Sequence, residues 1–445
     1  MRLPAKIFTS SALIFLSRIV GAAVMFGAQA LIAKWLGAES LGQYLQAIAA
    51  ANLCGGLFPL GYQTIAAYFA AEYSSLGKGH TLRAFMKQTY MQTIGMSVMV
   101  LLVGLFVLER FFPDNAAITF NWPQINLYAT GIALAGISGN VLIAMKRPFL
   151  GMGVDTILRP LLIAASLGMI FIPVTHNFHI ADMLWFAGIS FLFAAFVYVL
   201  IARAAILKLP STDALPEGER SRWWRYALPW TLIGLATDFF FDLDLLLLSN
   251  SLSYSDIAVF GVMTRLFSLA SFGVSSVYLV SLPDVFAERA KNNNQSFNSS
   301  LVKANLAAMG IAVLMVAGIA VFGPFALSFF GPEFDKGTMP LVILSLALAM
   351  RCVFGPAALM LSLHDRPSAA LPSVALGLVC LVVGNHLLVP TWGLHGAAWS
   401  ALIAMAVWSG TMWYRTLRVT GTDISIFLPV WSLMKVRRAA GASGP

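Results

Sequence analysis

The stretch DFFFDLDLLLLSNSLSYSDIAVFGVMTR, residues 238–265, decides the fold class of this chain. Two strongly apolar runs flank a short polar turn, and both read as helices long enough to cross a bilayer. Asp238, Asp242 and Asp244 lie on the first run and Arg265 on the second. A charge in hydrocarbon costs roughly 2.5–3.5 kcal/mol on insertion scales. A chain keeps such groups where they face water, a partner charge or a ligand.

Outward from that stretch, the composition agrees. Of 445 residues, 59% are hydrophobic and 11% charged, where a soluble domain carries about 25% charged residues. Strand-type alternation is absent, so the expected class is all-α membrane protein. The first apolar segment follows MRLPAK without a small-residue cleavage site and reads as a retained helix. Cys54, Cys352 and Cys380 fall in apolar spans without paired spacing and read as small buried hydrophobes.

Twelve spans of about 20 or more residues are expected, at 8–33, 41–70, 88–111, 122–145, 152–173, 181–205, 226–250, 256–280, 304–330, 337–362, 367–389 and 393–416. The positive-inside rule supports the count. With the N-terminus inside, only Lys34, Arg110 and Lys336 lie on outer segments, and Arg18, Arg265 and Arg351 lie within spans. The remainder of the 28 Lys and Arg residues are inside. A wrong count would scramble this asymmetry. The expectation is a multi-pass protein of a bacterial cytoplasmic membrane with both termini cytoplasmic. The +9 net charge is then topology plus attraction to anionic lipid, not the clustered basic face of a nucleic-acid binder.

The longest polar connection, KLPSTDALPEGERSRWWR at 208–225, divides the spans six and six. The expected plan is an N-terminal lobe at 1–207, a linker at 208–225, a C-terminal lobe at 226–418 and a cytoplasmic tail at 419–445. The tail places Ile424, Phe427, Leu428, Trp431 and Met434 on one helical face, the pattern of an interfacial helix. A shift of 216 residues lays GAESLGQY (37–44) on SYSDIAVF (253–260), a weak repeat. Because both halves start inside, a repeat is parallel, with a pseudo-twofold along the membrane normal. Pro59 with Gly61, and Gly355 with Pro356, interrupt spans two and ten.

Depth follows from the ~1.5 Å rise per residue. Arg18, Arg265 and Arg351 fall near the middles of their spans and are candidates to bind an anionic group, because a guanidinium donates two parallel hydrogen bonds and stays charged when buried. Asp238 and Asp242 are four apart and expected on one face, with Asp244 turned elsewhere; these three are coupling or ion-pair candidates, Arg265 being a natural partner. Lys146, Arg147 and Arg159 are assigned to the inner mouth. There is no Walker A, dinucleotide, HExxH or nucleophile-elbow motif, the six histidines are scattered, and no metal or cofactor is expected.

Four motifs carry a family resemblance. AKWLGAESLGQY (33–44) resembles a basic residue, Leu-Gly, polar residues, Gly and Tyr, with Lys34 where Arg is common. DLLLLSNSLSYSDIAVF (244–260) resembles an aspartate, a leucine run and a small outer turn, with Leu245 in place of a basic residue. FFGPEF (329–334) and VPTWGLHGAAWS (389–400) resemble the outer segments before spans ten and twelve. Together they resemble the O-antigen (Wzx-type) polysaccharide flippases of the multidrug/oligosaccharidyl-lipid/polysaccharide superfamily. The resemblance implies two six-helix lobes around a cationic cavity. It also implies alternating access that flips an undecaprenyl-diphosphate-linked oligosaccharide, with membrane lipids and possible polymerase and chain-length proteins as partners and no nucleic acid. The alternatives are a cation-coupled exporter of the same superfamily, which often carries an acidic site in its first half, where no Asp or Glu lies mid-span in this chain, and a membrane enzyme such as an O-antigen polymerase. The latter generally needs a large outer loop, which this chain lacks.

Overall fold

The structure is a computed structural model and describes residues 3–111, 116–168, 179–210, 214–290, 294–363 and 367–427. Those residues are almost all helical, and none of them forms a strand. Nine stretches among them are long and apolar enough to cross a membrane. Two, Leu16–Leu57 and Ser368–Thr420, run 42 and 53 residues, about twice what one crossing needs. Each contains a glycine outside helical geometry, Gly37 (φ 88°) and Gly393 (φ 52°). The chain is a multi-pass membrane protein. It forms two compact units, Met1–Ser249 with Ser253–Ala258, and Asn250–Leu252 with Val259–Pro445. The first therefore includes the 208–225 connection and all but the last residue of the stretch expected as span seven.

In the first unit, α1 (Leu3–Leu57) ends where Pro59 lacks an N–H and its ring obstructs the preceding turn. Leu60 and Gly61 take positive φ, 46° and 81°, and the chain restarts as α2 (Tyr62–Ser75). Gln92 donates to the carbonyl of Pro59, satisfying an acceptor the break releases. The α2 residues Tyr62, Ile65, Ala66, Phe69, Ala70 and Tyr73 form a buried stripe at helical spacing.

The next helix, α3 (Gly79–Phe111), is inside-out by the standards of a soluble protein. Thr89, Thr93 and Ser97 are buried, while Met91, Leu102 and Phe106 are 61–77% exposed. Apolar side chains face outward and small polar ones join helices, as lipid surroundings demand. Ser97 bonds Asn126 at 3.0 Å and Tyr90 bonds Ser138 at 2.9 Å. After a single turn, α4 (Ala116–Thr119), both acceptors lie on α5 (Trp122–Ala144), the most enclosed helix of the unit.

The following crossing is not one regular helix. It is α6 (Pro148–Gly153), a π-helical turn at Val154–Leu158, and α7 (Arg159–Gly168). Gly139 and Gly151 each approach the other's carbonyl so closely that a Cβ on either would collide. Then come α8 (Ile180–Ile206), α9 (Glu219–Asp238) and α10 (Phe240–Leu248).

The described ends of the connection before α9 are held by hydrogen bonds. Arg83 donates to the carbonyls of Leu207 and Leu209, and Pro210 accepts from the N–H of Gly79. It is helical from Glu219 onward. Trp223 is fully buried and gives its indole N–H to Tyr73 at 2.7 Å. Arg222 forks onto both oxygens of Glu72 at 3.0 and 2.9 Å and onto Glu219 at 2.8 Å. Hydrogen bonding to Glu72, then to Glu219, holds its pKa above the ordinary arginine value.

The second unit takes most of α11 (Tyr254–Ala290), α12 (Asn294–Ser328), a 3-10 turn at Pro332–Gly337, α13 (Thr338–Phe354), α14 (Ala357–Leu363) and α15 (Leu371–Thr420). The interruption expected at Gly355 and Pro356 is a real break, with Gly355 at φ 72°. Against it lies the carbonyl of Ile424, which also accepts from Asn305 at 2.7 Å, while the N–H of Ile426 bonds Val353. The expected interfacial helix is thus corrected over its described part: 421–427 is non-helical and Ile424 is buried in the second unit. Leu428, Trp431 and Met434 lie outside the described residues.

Candidate functional site

A relay of four polar side chains lies inside the first unit. Asn52 comes from the part of α1 that follows Gly37, Tyr128 from α5, Arg159 from the start of α7 and Asp242 from the first turn of α10. The Asn52 amide donates to both oxygens of Asp242, each at 3.2 Å. Its carbonyl accepts from Arg159 Nη2 at 2.6 Å. The Nε of the same guanidinium donates to the Tyr128 hydroxyl at 2.9 Å, and the guanidinium carbon lies 5.5 Å from that ring's centre. Asn52 and Asp242 are 7% and 8% exposed.

The local backbone explains how these groups meet. A π turn adds a residue to the helical repeat, rotates everything after it and is frequent at functional sites. Here Val154–Leu158 ends at Arg159, so the bulge sets the direction in which that side chain leaves. The bulge fits against α1 because Gly21 has no side chain there; a Cβ would run into the Thr156 carbonyl. On the other side, Phe239 departs from helical geometry (φ −114°, ψ 20°), and α10 starts afresh with Asp242 in its first turn.

Chemically, one amide joins a carboxylate to a guanidinium that it keeps from direct contact. The amide has no freedom to flip, since its nitrogen meets only acceptors and its oxygen a donor. Arg159 spends its hydrogen bonds on neutral oxygens, with Asp155 in electrostatic reach.

No family model and no curated protein matches the sequence. Solved structures do match in shape. A lipid II flippase, MurJ, in an inward closed conformation superposes with a TM-score of 0.72 at 13% identity, covering 98% of this chain and 93% of its own. An inward-facing multidrug resistance MATE family transporter of the MOP superfamily gives 0.70 at 16% identity, covering 90% and 95%. An outward-facing MATE transporter of that superfamily gives 0.61 at 16%, covering 92% and 96%. The chain shares the fold of these transporters.

Within this fold the residues singled out by sequence take different places. Arg18 lies on an exposed face of α1, and Lys146 and Arg147 are exposed in the turn between α5 and α6. Arg159 lies further along the same crossing. It is eleven residues beyond Pro148, about 16 Å along the helix, and bonded to Tyr128 and Asn52. The shared face expected for Asp238 and Asp242 is also corrected: the break at Phe239 leaves Asp238 exposed and Asp242 buried. Asp244 is fully buried in the same unit. Arg265 and Arg351 belong to the second unit, the former half-buried, the latter exposed with Nη1 3.5 Å from Ser271 Oγ. Asn52 and Tyr128 are the residues that sequence reasoning missed.

Proposed function

We propose that this chain is a transporter that flips an undecaprenyl-diphosphate-linked oligosaccharide across the bacterial cytoplasmic membrane by alternating access, with twelve crossings and both termini inside. The observation that carries this reading is the fold shared over nearly the whole chain with a lipid II flippase. The Wzx-type motifs at 33–44, 244–260, 329–334 and 389–400 supply the glycan class. Arg159, bonded to neutral oxygens, supports an anionic substrate, and Arg18, Arg265 and Arg351 are the further arginines proposed to meet diphosphate or acidic sugar. The test uses proteoliposomes holding a fluorescent undecaprenyl-diphosphate oligosaccharide. Flipping is expected to expose more than half of the label to an impermeant quencher, and Arg159→Ala to slow it at least tenfold. No protein-dependent exposure overturns the reading.

One observation favours a second reading, a cation-coupled exporter. Asp242 is tied through Asn52 into the unit that holds the N-terminal helices, and a buried carboxylate beside a neutral amide is chemically able to exchange a proton. That reading expects efflux of a cationic dye driven by an imposed pH gradient and abolished by Asp242→Asn, with no flipping of the lipid-linked glycan.

A further inference from the structure

The two arms of α15 run side by side, and small residues set how closely. At Gly396 a Cβ would strike the Leu388 carbonyl, at Gly384 the Ser400 side chain, and at Gly377 the Trp408 side chain. The sequence of close approaches stops there. Beyond Gly377 the arms part around a cavity of about 560 Å³, lined by Pro372, Ser373 and Leu376 on one arm and by Tyr414, Arg415 and Arg418 on the other.

Three features of this cavity point to one ligand chemistry. Its walls are mainly apolar, and Leu376 is 44% exposed. Its rim carries two arginines three residues apart, so both project from one side of the helix. Arg418 Nε donates to the Tyr414 hydroxyl at 3.0 Å, with the guanidinium 5.3 Å from that ring's centre, which orients the charge. Finally, Ser373 is 1% exposed, and its Oγ has no hydrogen-bond partner among the described residues. A buried hydroxyl without a partner carries a penalty of about 1–3 kcal/mol, which a ligand oxygen at that position would remove. By the charge asymmetry of the loops, this end of the hairpin is cytoplasmic.

We propose that the cavity is a site for an anionic phospholipid of the inner leaflet. The phosphate lies between Arg415 and Arg418, an ester or glycerol oxygen meets Ser373, and the start of an acyl chain runs along Leu376 and Pro372. Apolar walls beneath a basic rim match a lipid headgroup with its chain attached, whereas a free anion would leave the apolar part unfilled. The site is separate from the Asn52–Arg159–Asp242 relay and does not depend on what the protein transports.

The experiment is native mass spectrometry of the full chain in detergent, titrated with dioleoylphosphatidylglycerol and, separately, dioleoylphosphatidylcholine. Phosphatidylglycerol is expected to bind at least tenfold more tightly. Arg415→Gln with Arg418→Gln is expected to bring the two lipids within twofold of each other. Leu376→Trp, which fills the cavity and keeps both charges, is expected to lower phosphatidylglycerol affinity at least fivefold. Gel filtration of each variant confirms that it is folded. A preference that survives both variants overturns the proposal, as does an equal loss from Arg220→Gln with Arg225→Gln, two exposed arginines elsewhere on the basic side. Displacement of the lipid by millimolar inorganic phosphate would assign the site to a free anion and overturn it as well.

Discussion

Asn52 shows how an uncharged side chain governs charged ones. Its amide bonds both the Asp242 carboxylate and the Arg159 guanidinium. Removing it takes from the buried Asp242 carboxylate an amide that donates to both its oxygens and from Arg159 an acceptor, and a hydrogen bond to a charged group is worth about 1.5–3 kcal/mol. Asn52→Leu is therefore expected to lower thermal stability in detergent sharply, by an amount similar to Asp242→Leu alone. A cycle built from Arg159→Leu and Asp242→Leu is expected to show a coupling above about 0.5 kcal/mol, although the two side chains do not bond directly. Strict additivity in those melts would mean the amide transmits nothing. Asp242 and Arg159 were visible in the sequence because formal charge in an apolar run is conspicuous. Asn52 and Tyr128 were not, since neither carries a formal charge. Yet an amide or phenol in hydrocarbon has donors and acceptors that need partners too.

At the scale of elements, breaks carry the information. Gly61 and Gly218 have nearly the same backbone, φ 81° with ψ −10° and φ 79° with ψ −5°. An alanine at either bears the left-handed penalty of about 1 kcal/mol. At Gly218 nothing lies within 4 Å, whereas at Gly61 a Cβ would run into the Ala227 carbonyl and sit 2.7 Å from Thr231 Oγ1. Gly218→Ala is thus expected to shift the melting temperature by a few degrees at most, and Gly61→Ala by several times as much. Arg222 offers a second contrast. Its fork holds Glu72 and Glu219 at once, with its side chain one-third exposed, so Arg222→Ala is expected to cost about 1–2 kcal/mol. Arg222→Lys, which keeps charge but not the fork, is expected to recover less than half of that in the same melts. The breaks near Pro59–Gly61 and Gly355–Pro356 were legible because those residue types impose them. The π turn at Val154–Leu158 was not, since no residue type demands an extra residue per turn, and it sets the direction in which Arg159 leaves its helix.

For the whole molecule, hydropathy and charge act on different things. Hydropathy made the helices legible one by one. A polar connection marks where a chain leaves the membrane and says nothing about which helices touch. Thus α9 and α10 pack with α1 and α2 despite following the 208–225 connection. Charge governs sidedness, and sidedness is testable on two exposed residues. Glu217 lies in the connection before α9, and Ser251 in the turn after α10. One crossing separates them, so the positive-inside argument places Glu217 in the cytoplasm and Ser251 outside. In a background with Cys54, Cys352 and Cys380 replaced by alanine, an impermeant maleimide is expected to label Ser251→Cys in intact cells. Glu217→Cys is expected to react only after the membrane is opened. The α9–α10 segment is broken at Phe239 and carries three aspartates, which makes it the least conventional crossing proposed for the chain. Labelling of both cysteines from one side would remove that crossing and, with it, the even count that puts both termini on one face.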